Sequence, residues 1–141
     1  MQPVSRKRLG NTDRHVKQLP ARFSENSLKT LLASVVATAF DLPVYEITSS
    51  SRRCAPVAFA RQVAIYLAHV GLGLSFTDTG RVFHRDRTTV AHACKIVEER
   101  RDDACLDVCL DYLEVALRLR FSAHKKGLLA HTRHKNDRGR T

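Results

Sequence analysis

The sequence predicts an all-α protein: a compact helical domain containing a helix-turn-helix, flanked by basic disordered tails. Three observations predict it. No stretch alternates apolar and polar residues in the manner of a strand, whereas apolar residues recur at three/four spacing in several separate segments. Between residues 75 and 101 a short helical segment, a tight connection and a longer helix follow one another, the order of a helix-turn-helix. The length, 141 residues, suits one ordinary domain, and 43% hydrophobic residues with only 6% aromatic and no Trp predict one modest, mostly aliphatic core.

The elements follow in order. Residues 27–40 place Leu28, Leu31, Leu32, Val35, Val36 and Ala39 on one helical face, and Asp41-Leu42-Pro43 stops that helix. Residues 44–55, with three serines followed by Arg52 and Arg53, read as a loop. Pro56 suits a first helical turn, after which Phe59, Val63, Tyr66, Leu67 and Val70 form a face that Gly71 and Gly73 end. Ser75 opens a short segment with Phe76, Thr79, Val82 and Phe83 on one side. His84-Arg85 makes the connection, and Asp86 stands where an N-cap belongs, its carboxylate accepting from the exposed amides of the next turn. Residues 87–101 bury Val90, Ala93, Cys94 and Val97. After Asp102-Asp103 a last helix reaches Phe121, carrying Leu106, Leu110, Leu113, Ala116, Leu117 and Phe121.

The chain carries 24 Lys+Arg against 14 Asp+Glu, a formal charge of +10. So large a basic excess favours anionic partners, nucleic acid first and an acidic membrane surface second. The charge sits at the ends. Residues 1–24 and 122–141 each hold six Lys/Arg and one acid, while the middle holds twelve of each. The middle is polarised in turn: residues 52–101 hold nine Lys/Arg and four acids, and residues 102–114 hold five acids and no base. Three divisions are therefore expected: a basic disordered tail over 1–24, a folded domain with a directed basic face over 25–121, and a second such tail over 122–141. The tails either aid solubility or attract phosphate without sequence preference. The acidic stretch reads as a solvated face that repels DNA and orients the domain.

The longest apolar run, Leu31–Ala39, is half a membrane span and is interrupted by Ser34 and Thr38. The N-terminus has basic residues with no apolar stretch behind them, unlike a secretory signal. A soluble protein of the cytoplasm and nucleoid is expected, with no membrane partner. Cys54, Cys94, Cys105 and Cys109 form no CxxC pair and are expected to be thiols. Cys105 and Cys109, four apart, could share a metal but lack a second pair, and small buried thiols account better for them. His92 and Cys94 are two apart on a helix and face different sides, so they do not form a site with His69 and His84. No triad or paired-carboxylate pattern occurs. No enzyme activity, cofactor or metal is expected.

Residues 86–95 (DRTTVAHACK) carry the chemistry. Opposite the apolar face of this helix stand Arg87, Thr88, Ala91, His92 and Lys95. Thr hydroxyls bond base edges or phosphates, and Thr methyls pack on thymine methyls. Arg87 can fork onto guanine O6 and N7, and Ala91 lets the helix approach closely. His92 and Lys95, further along, suit phosphate. Short readers near an N-terminus with flanking cations suit a major-groove helix; an ordinary solvated face behind a capping Asp has the same composition.

The strings ARQVAIYLAH and LSFTDTGRVFHRDRTTVAHACKIVEE resemble the C-terminal DNA-binding domain of the bacterial replication initiator DnaA. That family's signature, approximately Gly-Arg-Asp-His-Thr-Thr-Val-x-His-Ala, stands here as His84-Arg85-Asp86-Arg87-Thr88-Thr89-Val90-Ala91-His92-Ala93. The Ala60-Arg61-Gln62 opening and the Ser-rich, Arg-bearing loop before it match too, and the resemblance covers roughly residues 28–121. It implies a Trp-repressor-like arrangement of the helix-turn-helix. It implies double-stranded DNA as partner, with DnaA-box-like sites as the sequence read. It implies that Arg53 enters the minor groove, that Arg61 and Gln62 contact phosphate, that Asp86, Thr88 and Thr89 read the major groove, and that His92 contacts phosphate. Arg85, Arg87 and Lys95 complete the expected DNA-binding set.

Five positions depart from the family pattern. Arg87 replaces the signature His, and His84-Arg85 replaces Gly-Arg. Phe76-Thr77 replaces a Leu-Pro, and His69 a Lys. The initiator's ATPase module would need a GxxxxGK[ST] loop, and no such string occurs. The expectation is a stand-alone box-binding domain: a small bacterial regulator of transcription or of replication initiation. The competing readings are a non-specific nucleoid-associated DNA binder and a protein-interaction module; protein partners are left open.

Overall fold

Ser24 opens the first helix by accepting from the Ser27 amide at 3.1 Å, which satisfies one of the four orphan donors of a helix start. The computed structural model describes residues 24–51 and 54–136, with side chains described as far as Ser122. Six α-helices follow in order: α1 (Glu25–Phe40), α2 (Val44–Thr48), α3 (Ala55–Tyr66), α4 (Phe76–Phe83), α5 (Arg87–Arg100) and α6 (Ala104–Asn136). Among the described residues there is no strand. The all-α expectation therefore holds, and α4–turn–α5 is the helix-turn-helix.

The helix α3 is central. Val57, Phe59, Ala60, Val63, Ala64, Ile65 and Tyr66 are all buried, more than one helical face supplies. It packs on α1, α2 and α5, and α5 in turn packs on α4. On α1 the buried face is Leu28, Leu32, Ala33, Val36 and Ala37; Ala39, expected inside, is exposed. The helix α1 ends at Asp41, which adopts the left-handed conformation (φ 52°). The expected helix after Pro56 ends differently too. Residues Leu67–Gly71 form a π-turn, with the Leu72 amide bonded to the Leu67 carbonyl at 3.0 Å.

Two further segments differ from the sequence reading. The loop expected over 44–55 contains α2, a single short turn of helix whose Ile47 is buried against the core. Its serines mask it: they follow the turn rather than replace it. At the other end α6 does not stop at Phe121 but continues to Asn136. Ala123, Lys125, Lys126, Leu128, Leu129 and Ala130 are strong helix formers and no Pro follows Pro56, so the backbone continues without an apolar face to mark it. Ala116, assigned to the inner face of α6, is exposed. The expected N-terminal tail over 1–24 lies outside the described residues except for the capping Ser24.

The acidic stretch at 102–114 is not simply a solvated face. Arg101 is 8% exposed, and its guanidinium reaches Asp107, Asp111, Glu114 (2.8 Å) and Tyr66 Oη (2.9 Å). Tyr66 Oη donates to Glu98 Oε1 at 2.7 Å. Burial opposes the Arg101 charge, but the hydrogen bonds it donates to Asp107, Glu114 and Tyr66 outweigh it and hold the proton more firmly than in water. This network joins the ends of α3 and α5 to α6. Arg118 adds a second tie, its Nε donating to the Gly71 carbonyl at 3.3 Å.

Candidate nucleic-acid interface

The geometry of α5 starts with its cap. Asp86 is extended (φ −72°, ψ 161°), and its Oδ1 accepts from the Thr89 amide at 2.7 Å. That bond, with the Thr89 hydroxyl and the Arg85 charge, holds the Asp86 carboxyl below its ordinary range, so it is ionised at neutral pH. Val90, Ala93, Cys94 and Val97 anchor the inner face. Thr88, His92 and Lys95 are exposed on the opposite face, with Ala91 half-buried among them, and Arg87 and Thr89 are exposed beside them. Arg87 lies over the Phe76 ring at 6.0 Å, a contact that ties the first residue of α5 back to α4.

The turn before α5 is tight because Gly80 allows it. The Arg85 amide donates to the Gly80 carbonyl at 2.9 Å, and a Cβ on Gly80 would overlap the Arg85 carbonyl oxygen. His84 takes the left-handed conformation (φ 53°) that caps α4. The substitution of His for the family's Gly is therefore housed at a position where most side chains cost about 1–2 kcal/mol. Arg85 is exposed at the corner.

A groove of about 150 Å³ lies between this corner and the segment after α2. Lys29, Arg61, His84 and Arg85 line it, together with Ser49 and Ser50. The fold thus brings Arg61 and Arg85, far apart in sequence, to one basic groove. Arg61 is also a structural residue: its Nε donates to the Glu46 carbonyl at 2.8 Å and its Nη1 to the Ser51 carbonyl at 2.6 Å. It fixes the segment that leads to Arg53. Arg53 itself lies outside the described residues. Gln62 is half-buried on α3.

Lys29, Gly80 and the second role of Arg61 were not read from the sequence. Lys29 is an ordinary charge on the outer side of α1, and only the packing of α1 on α4 delivers it here. Gly80 stands inside a helical segment, where an isolated Gly signals close approach; that signal was available. His69, considered above as a ligand, instead stacks on Phe76 (4.2 Å between centroids) and donates Nδ1–H to the Leu74 carbonyl at 2.6 Å. Cys94 is buried as expected, and burial pushes its thiol up to about 11. Cys105 is exposed and Cys109 half-buried, which corrects the expectation of two buried thiols: the first turn of α6 projects beyond the core. All four cysteines are free. Among the described residues no three potential metal ligands cluster, and no helix is long and apolar enough to cross a membrane.

Comparison with known proteins places this geometry. Residues 30–97 match the family model described as the bacterial DnaA protein helix-turn-helix. A chromosomal replication initiator protein DnaA 2 from Chlamydia trachomatis is 32% identical over 98 residues, covering 70% of this chain and 21% of that protein. The chromosomal replication initiator protein DnaA of Burkholderia multivorans is 33% identical over 127 residues, covering 80% of this chain and 24% of its own length. The chain thus spans a fifth to a quarter of these relatives. A crystal structure described as a DNA replication initiation factor superposes with a TM-score of 0.56 at 29% identity, over 65% of this chain and 28% of the other.

Proposed function

Residues 30–97 belong to the bacterial DnaA helix-turn-helix family, and from that premise we propose that the chain binds double-stranded DNA by placing α5 in the major groove. The observation that carries the proposal is the face of α5 that begins at the Asp86 cap. Thr88, Thr89, His92 and Lys95 are exposed there, held by an apolar inner face. In this reading Thr88 and Thr89 meet base edges, Asp86 both caps its helix and accepts from a base amino group, and Arg87 reaches a guanine or a phosphate. His92, Lys95, Gln62 and Arg85 contact the backbone. Arg61 acts there and also positions the loop that carries Arg53 toward the minor groove. The sequence read is a DnaA-box-like site. The Lys/Arg-rich segments flanking residues 25–121 add sequence-independent attraction. The protein is a binding module rather than an enzyme, a bacterial regulator of transcription or of replication initiation working at the nucleoid.

The test is fluorescence anisotropy with a duplex containing a DnaA-type box and with a scrambled duplex, each across a salt series. Tighter binding to the box is expected. Thr89→Ala lowers affinity for the box by about 1–3 kcal/mol and for scrambled DNA much less. Lys95→Ala weakens both alike and lowers the salt slope by about one unit. Both variants are first checked for unchanged helical content, since the Thr89 hydroxyl also contacts the cap. Equal affinity for both duplexes would leave a non-specific nucleoid binder in place of a box reader. A selective Lys95→Ala with a uniform Thr89→Ala would remove α5 from the groove.

A further inference from the structure

The outer face of α6 carries Val108, Tyr112, Val115 and Leu119, which are 54%, 74%, 52% and 67% exposed. Their spacing is four, three and four. With Cys105 before them and Ser122 after them, both exposed, they form the a/d seam of a coiled coil over two and a half heptads. Leu110, Leu113 and Leu117, the core side of the same helix, point the opposite way, so the seam has no partner within the described residues. A solvated helix face does not need four large apolar side chains in one row.

The charges on α6 say what the row fits. Residues 102–114 carry Asp102, Asp103, Asp107, Asp111 and Glu114 and no base, whereas residues 118–126 carry Arg118, Arg120, Lys125 and Lys126 and no acid. Arg101 offsets one charge of the acidic half, which stays net negative. A helix acidic in its first half and basic in its second repels a parallel copy and attracts an antiparallel one.

We propose that α6 pairs with α6 of a second copy of this chain as a two-fold symmetric, antiparallel coiled coil. The register that sets Tyr112 opposite Val115 of the second copy also sets Val108 opposite Leu119 and Cys105 opposite Ser122. Asp111, half-buried and paired with Arg101, and Arg118, exposed, flank the seam at equivalent heptad positions and approach each other's counterparts. The seam from Cys105 to Ser122 is about 27 Å long, short of a standard-size interface, so the dimer is a reversible one with micromolar dissociation. The helix α5 packs mainly on α3 and α4, and its Thr88, His92 and Lys95 are not residues of the α6 seam. The pairing does not depend on the DNA-binding reading.

The test is sedimentation equilibrium of the full 141-residue chain without DNA. A monomer–dimer equilibrium in the micromolar range is expected, weakened by added salt. Leu119→Glu sets a carboxylate opposite Val108 in the acidic half of the second copy, and Tyr112→Lys buries a charge at the centre of the seam; both new residues favour helix. This double variant raises the dissociation constant about a hundredfold or more, with helical content unchanged because both side chains lie outside the core. Ser122→Cys, oxidised with diamide, gives a dimer in which Cys105 of each copy is bridged to the thiol introduced at position 122 of the other, identified by mass spectrometry. A monomer at every micromolar concentration, or a double variant that dimerises like the parent, overturns the pairing. Cys105–Cys105 bridges as the main product in the same experiment overturn its antiparallel sense.

Discussion

Replacing Arg101 by Met removes the charge at the junction of α3, α5 and α6 and keeps much of the side chain's apolar stem. In the parent protein its guanidinium holds Tyr66 Oη, Asp107, Asp111 and Glu114 together. Without it, Asp107, Asp111 and Glu114 lose the cation they share beside Glu98, and Arg118, 3.7 Å from Glu114, replaces it only at the exposed edge. Breaking a buried ion pair by removing one partner costs about 3–5 kcal/mol. Here the partners are unequally buried: the Glu114 side chain is 13% exposed, Asp107 28% and Asp111 47%. The latter two can rehydrate, so the loss falls to about 2–4 kcal/mol. For a domain of this size that is about 10–20 °C in Tm, a large share of a stability of about 5–15 kcal/mol. Urea unfolding followed by far-UV circular dichroism measures it, with an unchanged slope showing that the same structure unfolds. The loss persists at high salt, because a buried charge is screened little. Asp111→Asn, at the most exposed partner, costs far less. A loss below about 1 kcal/mol for Arg101→Met at unchanged slope would show that the network is peripheral.

Four other outcomes follow from the same structure. Gly80→Ala forces a Cβ against the Arg85 carbonyl oxygen and lowers stability by about 1–3 kcal/mol, read by thermal unfolding, with a parallel loss of DNA affinity as the α4–α5 turn opens. His84→Gly relieves the left-handed backbone at the end of α4 and raises stability by about 1 kcal/mol in the same assay; a loss would mean that the His84 side chain has contacts of its own to lose. Thr79→Val removes a buried hydroxyl that has no hydrogen-bond partner among the described residues, so urea unfolding is expected to show an unchanged or higher stability rather than the usual penalty for a core substitution. Burial, reinforced by Glu98, raises the Tyr66 phenol above its ordinary value of 10.0 and the Cys94 thiol from 9.0 to about 11. Both groups stay protonated longer in the folded state, so stability is fully present below pH about 9 and is lost as pH rises beyond. A pH series of urea midpoints checks it, and Tyr66→Phe flattens the loss above about pH 10.

The sequence and the structure meet most closely where local chemistry decides the outcome. Ser75, Asp86 and the apolar spacing of α5 announced the helix-turn-helix, because capping and 3.6-residue periodicity act within a few residues of the chain. The exposed face of α5 followed from the buried one for the same reason. The short α2 was hidden, since five residues give no periodicity to read and their helix rests on burying Ile47 against other elements. The length of α6 was hidden because its second half is helical by propensity, with no amphipathic pattern to count.

By itself the sequence determined the all-α class, the order of the longer helices and the face of α5 turned outward, all consequences of side-chain spacing and of caps that need only their own neighbours. The tertiary structure alone decided which charges are partners. The acids of residues 102–114 looked like one solvated patch, yet three of them converge on Arg101, because α6 folds back across the ends of α3 and α5. Arg61 read only as a phosphate contact until the chain brought the Glu46 and Ser51 carbonyls to it, and Lys29 joined Arg85 only when α1 packed on α4. Spacing along a chain fixes which side of a helix a residue occupies. What stands opposite that side depends on contacts between residues distant in sequence, and these exist only once the helices have packed.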